Sequence, residues 1–215
     1  MATQLQFLGH ASFKIQSDYS SIVIDPFFTG NPYACCTVDD FIALDAMLLT
    51  HGHSDHLRDA AAIARQTECA VICNDKVAEY LKSQGVNPET ITVMKSGESR
   101  NFLFGKVTVV PAVHASSIQA DGQELPDGEP CGYVIEVDKH KVYHAGDTML
   151  FDGMKELRPM AIDIALLPIG GSGGNDSPPR SHSHALQHVS QHYGGSAGFR
   201  QKSSRRRGRG CPPVQ

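Results

Sequence analysis

Short apolar runs broken by turn residues alternate with two helical stripes over the first half of the chain. Residues 4–8, 11–16 and 21–24 read as β-type runs, the last ending at Asp25-Pro26. Residues 47–50 read as a buried strand leading into His51. Leu57, Ala60, Ala61 and Ala64 then fall at i, i+3, i+4 and i+7, the inner stripe of a helix with Ser54 as its cap. Residues 70–73 read as strand, and Asn74-Asp75 opens a second helix with Val77, Tyr80 and Leu81 inward, stopped at Gly85. From there the pattern turns β-rich, with runs at 90–94, 102–104, 107–111, 132–137 and 141–144. The last two are joined by a hairpin turn at Asp138-Lys139-His140. A final strand at 162–167 ends in Pro168-Ile169-Gly170-Gly171.

Beyond Gly171 the text changes to Gly, Ser, Pro, His and Arg, with only Leu186, Val189, Phe199 and Val214 as large apolar residues. Such a segment cannot bury enough surface to offset its ordering entropy. The expectation is a folded domain over 1–171 and a disordered tail over 172–215, with at most a helical turn at 184–191. Charge marks the same change. Residues 1–176 carry 12 Lys+Arg against 23 Asp+Glu, a balance of −11, whereas 177–215 carry seven basic residues and no acid, +7.

Composition closes off other classes. At 215 residues and 40% hydrophobic the chain can bury a sizeable core. No apolar run approaches the roughly 18 residues of a spanning helix. Met1-Ala2-Thr3-Gln4 offers no basic region before an apolar one, so no signal peptide is expected. The six cysteines show no CxxC and read as small buried residues of a reducing, cytoplasmic setting.

The chemistry concentrates in Thr50-His51-Gly52-His53-Ser54-Asp55-His56, four potential metal ligands within six positions. His51 and His53 can project from one side of an extended segment, while Asp55 and His56 sit where the chain turns into the helix. Imidazoles suit zinc, copper, iron or nickel, and an added carboxylate admits manganese. His114 follows the 107–111 strand and Asp147 follows the 141–144 strand, so all lie at strand ends, where a rigid sheet positions loop residues. His10, His144 and Asp25 are weaker candidates for supporting roles, and Ser116, Ser117, Thr29 and Asn31 for a substrate pocket.

Thr50–His56, Pro-Ala-Val-His at 111–114 and His-Ala-Gly-Asp-Thr at 144–148 together resemble the metallo-β-lactamase superfamily. The branch they resemble holds small single-domain metal-dependent hydrolases related to the ascorbate-phosphate lactonases. Phe7-Leu8-Gly9-His10, Ile24-Asp25-Pro26-Phe27 and Leu167-Pro168-Ile169-Gly170-Gly171 belong to the same likeness. The resemblance implies an α/β fold, an αβ/βα four-layer sandwich with a two-metal site at one edge of its sheets. It assigns His51, His53 and His114 to one metal and Asp55 and His56 to the second, with Asp147 bridging. Two divalent ions are implied, zinc first, with manganese or iron as alternatives. A hydroxide between metals roughly 3.5–4 Å apart would attack a small ester, lactone or phosphoester, with Asp55 orienting it. The oxygen-reducing di-iron members carry Glu where this chain has His53, which favours hydrolysis.

The likeness fails after Gly171. There the family continues with a helix, a strand and a His-Tyr-Gly loop supplying the last ligand of the second metal. Here the last helix and strand are expected to be missing, and His192-Tyr193-Gly194 lacks a buried strand to deliver it. The segment reads as an altered or replaced C-terminus. This leaves an alternative: a catalytically silent binding protein on the same fold. Nucleic-acid binding through the arginine run at 205–209 would be salt-sensitive and sequence-independent, and a solvated tail explains that run better. The partner expected is a small-molecule substrate, with no membrane and with homo-oligomerisation left open.

Overall fold

Strands near the N-terminus alternate at a period of two between apolar faces that are both buried, which fits a sheet covered on each side. In the computed structural model, which describes residues 3–168 and 186–188, they form a six-stranded sheet. Its order is β1 (Gln4–Gly9), β2 (Ser12–Gln16), β3 (Ser21–Ile24), β4 (Ala46–Leu48), β5 (Ala70–Cys73) and β6 (Ile91–Val93). The first three strands run antiparallel and β3 to β6 parallel. Ile22, Ile24, Ala46, Leu48 and Ile72 face the second sheet, while Val23, Met47, Val71 and Cys73 face the helices.

The second sheet comprises β7 (Ser99–Phe102), β8 (Gly105–Pro111), β11 (Cys131–Val137), β12 (His140–His144), β13 (Ile164–Leu167) and β14 (Leu186–His188). A separate hairpin, β9 (Ser117–Ala120) with β10 (Gln123–Pro126), branches off between β8 and β11. Cys131, Tyr133, Ile135 and Val137 point from β11 into the inter-sheet core, and Val134 points outward against Leu157, Met160 and Ile162. Helices α1 (Ser54–Leu57), α2 (Ala60–Thr67) and α3 (Asp75–Ser83) accompany the first sheet, and a 3-10 segment, Asp152–Met160, covers the second. The architecture is the αβ/βα sandwich of the metallo-β-lactamase type. No helix among the described residues is long and apolar enough to cross a membrane.

Several sequence expectations need correction. The single helix from Ser54 is two, because Asp59 at the break accepts from the Phe28 and Thr29 amides and from the Thr29 hydroxyl at 2.5, 2.9 and 2.6 Å. His53, not Ser54, is its N-cap residue. In the run at 102–104, Phe102 ends β7 and only Leu103 and Phe104 form the turn to β8, and His140 pairs with Val137 inside β12 instead of standing in the turn. Among the cysteines, Cys69, Cys73 and Cys131 are buried free thiols as expected, whereas Cys36 is a half-buried free thiol and Cys35 is exposed. Where a helical turn was the most expected, Leu186–His188 pairs antiparallel with β13. Residues 169–185 and 189–215 lie outside the described residues. With them go most of the tail expected over 172–215, His182, His184, His192 and the arginine run. Helix α3 matches the expectation of a helix opened at Asn74-Asp75, with the Asn74 side chain accepting from Val77 N–H at 2.9 Å and Leu81 fully buried.

Candidate metal centre

Three segments that leave strand ends at one edge of the two sheets, the first running into α1, bring the candidate ligands together. His51 and His53 follow β4, Asp55 and His56 lie on α1, His114 follows β8 and Asp147 follows β12. His51 Nε2 and His114 Nε2 each stand 3.2 Å from His53 Nδ1. Neighbouring corners of a tetrahedron drawn at zinc–nitrogen bond lengths are about 3.3 Å apart, so three such nitrogens fit one face of a metal site. A proton chain selects the free atom on His51. Thr50 Oγ1 donates to Asp25 Oδ2 at 2.6 Å and lies 3.0 Å from His51 Nδ1, so Nδ1–H donates to Thr50 and Nε2 keeps its lone pair. Burial, with the charge of His56, holds the His51 pKa well below the usual imidazole value against the pull of Asp147. Burial lowers His114 as well. Both are therefore neutral donors near pH 7.

The second group lies beside the first. His56 is fully buried, its Nδ1 2.8 Å from Asp25 Oδ2, with Nε2 turned toward Asp147 Oδ1 at 3.6 Å. That separation is too long for a hydrogen bond, and His56 Nε2 has no partner among the described residues. His51, His56 and Asp147 offer ligand atoms within 4.8 Å of one another, as do His10, Asp55 and His56. Burial alone would lower the His56 pKa, but the Asp25 charge and contacts with Asp147 and Asp25 raise it well above its usual value. Burial pushes Asp55 upward, yet the His10 contact and the charge of His56 bring it down to about 2. Orphaned buried nitrogen, neutral imidazoles and ionised carboxylates form a donor set that fits divalent metals.

Sequence reasoning missed Asp127. Its carboxylate, buried behind the site, accepts the Gly52 amide at 2.8 Å and the Ser116 hydroxyl. It thereby ties the His51–His53 loop to the loop that carries His114. Only glycine fits at 52, since an added Cβ would collide with Ile118 and Asp127. Gly146 takes a φ of +61 where the chain passes Thr50 on the way to Asp147. Ser116 thus serves as a hydrogen-bond donor to Asp127. Thr29 is bound to Asp59, and Asn31 bonds Phe27 O and Tyr33 N–H within its own turn. His144 donates from Nε2 to Ala11 O at 2.9 Å and accepts Gly146 N–H at Nδ1, so both its nitrogens are occupied.

This geometry agrees with the comparisons to known proteins. The family model described as a beta-lactamase superfamily domain matches residues 20–194. A UPF0173 metal-dependent hydrolase of Methanosarcina barkeri is 38% identical over 171 residues, covering 79% of this chain and 72% of that protein. The chain belongs to the metal-dependent hydrolases of the metallo-β-lactamase superfamily. Among solved members of the superfamily, Igni18, a metallo hydrolase from the archaeon Ignicoccus hospitalis, superposes with a TM-score of 0.66 at 31% identity. That likeness spans 79% of this chain and 72% of Igni18. The isothiocyanate hydrolase from Delia radicum gut bacteria gives a TM-score of 0.56 at 26% identity, over 75% and 69% of the two chains.

Proposed function

We propose that this hydrolase cleaves a small ester, lactone or phosphoester at a two-metal centre, zinc being the first choice and manganese or iron the alternatives. His51, His53 and His114 would hold one ion, Asp55 and His56 the other, with Asp147 between them. The carrying observation is the convergence of His51 Nε2, His53 Nδ1 and His114 Nε2 at 3.2 Å steps, a spacing suited to a shared ion. When bound, the metal pair supplies an activated water and a Lewis acid for the scissile carbonyl or phosphoryl oxygen.

The chain's own residues do the rest. Asp55 lies at the mouth, half-buried and ionised, placed to orient the attacking water. Asp25 holds the His56 ring, and through Thr50 it holds the His51 tautomer. The His114 and Asp147 loops are joined by Val113 N–H donating to Thr148 Oγ1 and Met149 N–H donating to Val113 O, both at 2.9 Å. Val113, Met149 and Leu150 stand exposed along that rim, where an apolar part of a substrate would lie. All the proposed ligands fall within 1–171, the part to which we assign the activity.

Turnover of a panel of esters, lactones, phosphodiesters and an isothiocyanate, by full-length protein supplied with Zn or Mn, tests this reading. Activity that disappears in Asp55→Ala is expected. Absence of turnover across the panel, with metal bound, would favour the silent binding protein.

A further inference from the structure

Two histidines belong to the family-like motifs without a ligand role, and the structure treats them differently. His144 has both ring nitrogens in hydrogen bonds to backbone. His10 does not. Its Nε2 is sealed from solvent and makes no hydrogen bond among the described residues, although it lies 3.0 Å from Asp55 Oδ2. The distance is short but the ring is not aimed as a donor, the relation expected of two atoms converging on a third point. His56 Nε2, the other orphan, faces the same place, and the two rings stand 5.3 Å apart. Leaving two buried imidazole nitrogens unmet is costly, and one cation would satisfy both.

The backbone adds an independent observation. His10 occupies the β1–β2 turn with a φ of +55, beside a register slip between Phe7 and Gly9. A positive φ is uncommon outside glycine and such outliers concentrate at functional sites. This conformation carries the ring over the sheet edge to Asp55 and His56 instead of along the strand.

We propose that His10 is a ligand of the second metal through Nε2, completing a set with Asp55 and His56. The proposal rests on the two-metal reading above and adds a ligand from a loop that reading leaves out. Two imidazoles and a carboxylate within 4.8 Å of one another suit zinc, iron or manganese.

The test is titration of the metal-free full-length chain with cobalt(II), followed by its d–d absorption, for wild type and His10→Asn. Asparagine tolerates the left-handed backbone, so the turn is preserved. Circular dichroism melting checks that it is, and His10→Gln provides a second variant. Wild type should take up two equivalents. His10→Asn should bind the first unchanged and the second at least about tenfold more weakly, with an altered second spectrum. A variant that binds the second equivalent with wild-type affinity and spectrum overturns the His10 assignment alone. A wild type that takes up fewer than two overturns it together with the two-metal reading.

Discussion

His56 and Asp25 are both fully buried and meet at 2.8 Å, Nδ1 to Oδ2, directly behind the proposed second metal position. The same carboxylate accepts the Thr50 amide at 2.8 Å and the Thr50 hydroxyl at 2.6 Å. One aspartate therefore orients ligands on both sides of the centre. Asp25→Asn keeps the size but weakens these acceptor contacts. Metal affinity, read by zinc titration, should fall about 10- to 100-fold. Asp25→Ala leaves the buried His56 ring without its partner and should cost about 3–5 kcal/mol of stability in urea unfolding.

The pH dependence of metal uptake should differ between the two positions. His51 and His114 have lowered pKa values, so they carry no proton to displace near neutrality. His56 has a raised pKa and is protonated in the metal-free protein at the same pH. A metal at His56 must expel that proton, so affinity there should drop about tenfold per pH unit on acidification, a loss that the lowered pKa values of His51 and His114 spare the first position. Cobalt titrations at roughly pH 6 and 8 measure both. Equal pH dependence at the two positions would contradict the assignment.

Asp127→Ala should loosen the first position specifically. Its loss strands the buried Gly52 amide and frees the His114 loop from the His51–His53 loop. A stability loss of about 1–3 kcal/mol is expected, together with weaker binding of the first equivalent. Thermal melting and zinc titration of the same samples read the two effects.

Gly52→Ala should be less stable than wild type by about 1–3 kcal/mol, because the methyl meets Ile118 and Asp127, neither of which has room to retreat. Denaturant melts would show it as a lower midpoint at unchanged slope.

Legibility in the sequence followed distance along the chain. The ligands packed into His51–His56, and the strands made of continuous apolar runs such as β4 and β5, are readable because their signal is local. Asp127 was not, since it acts on Gly52 from 75 residues away, inside a stretch of polar residues. The hairpin that ends just before it is hidden for the same reason: Gln119, Gln123 and Glu124 are exposed and carry no apolar alternation. The helical stripe beginning at Leu57 was real, but its periodicity could not reveal that Asp59 is drawn off to the Phe28–Thr29 backbone and breaks it. Sequence gives His10 only a supporting role because its left-handed turn, which aims the ring, leaves no mark in residue type.

Anomalous diffraction from zinc-loaded crystals tests the central claim most directly. The account predicts two peaks at the sheet edge. The first should lie about 2.0–2.1 Å from His51 Nε2, His53 Nδ1 and His114 Nε2, and the second should touch Asp55 and His56 Nε2, with Asp147 reaching both. A map with no peak among these residues, or with zinc bound elsewhere on the chain, would contradict it.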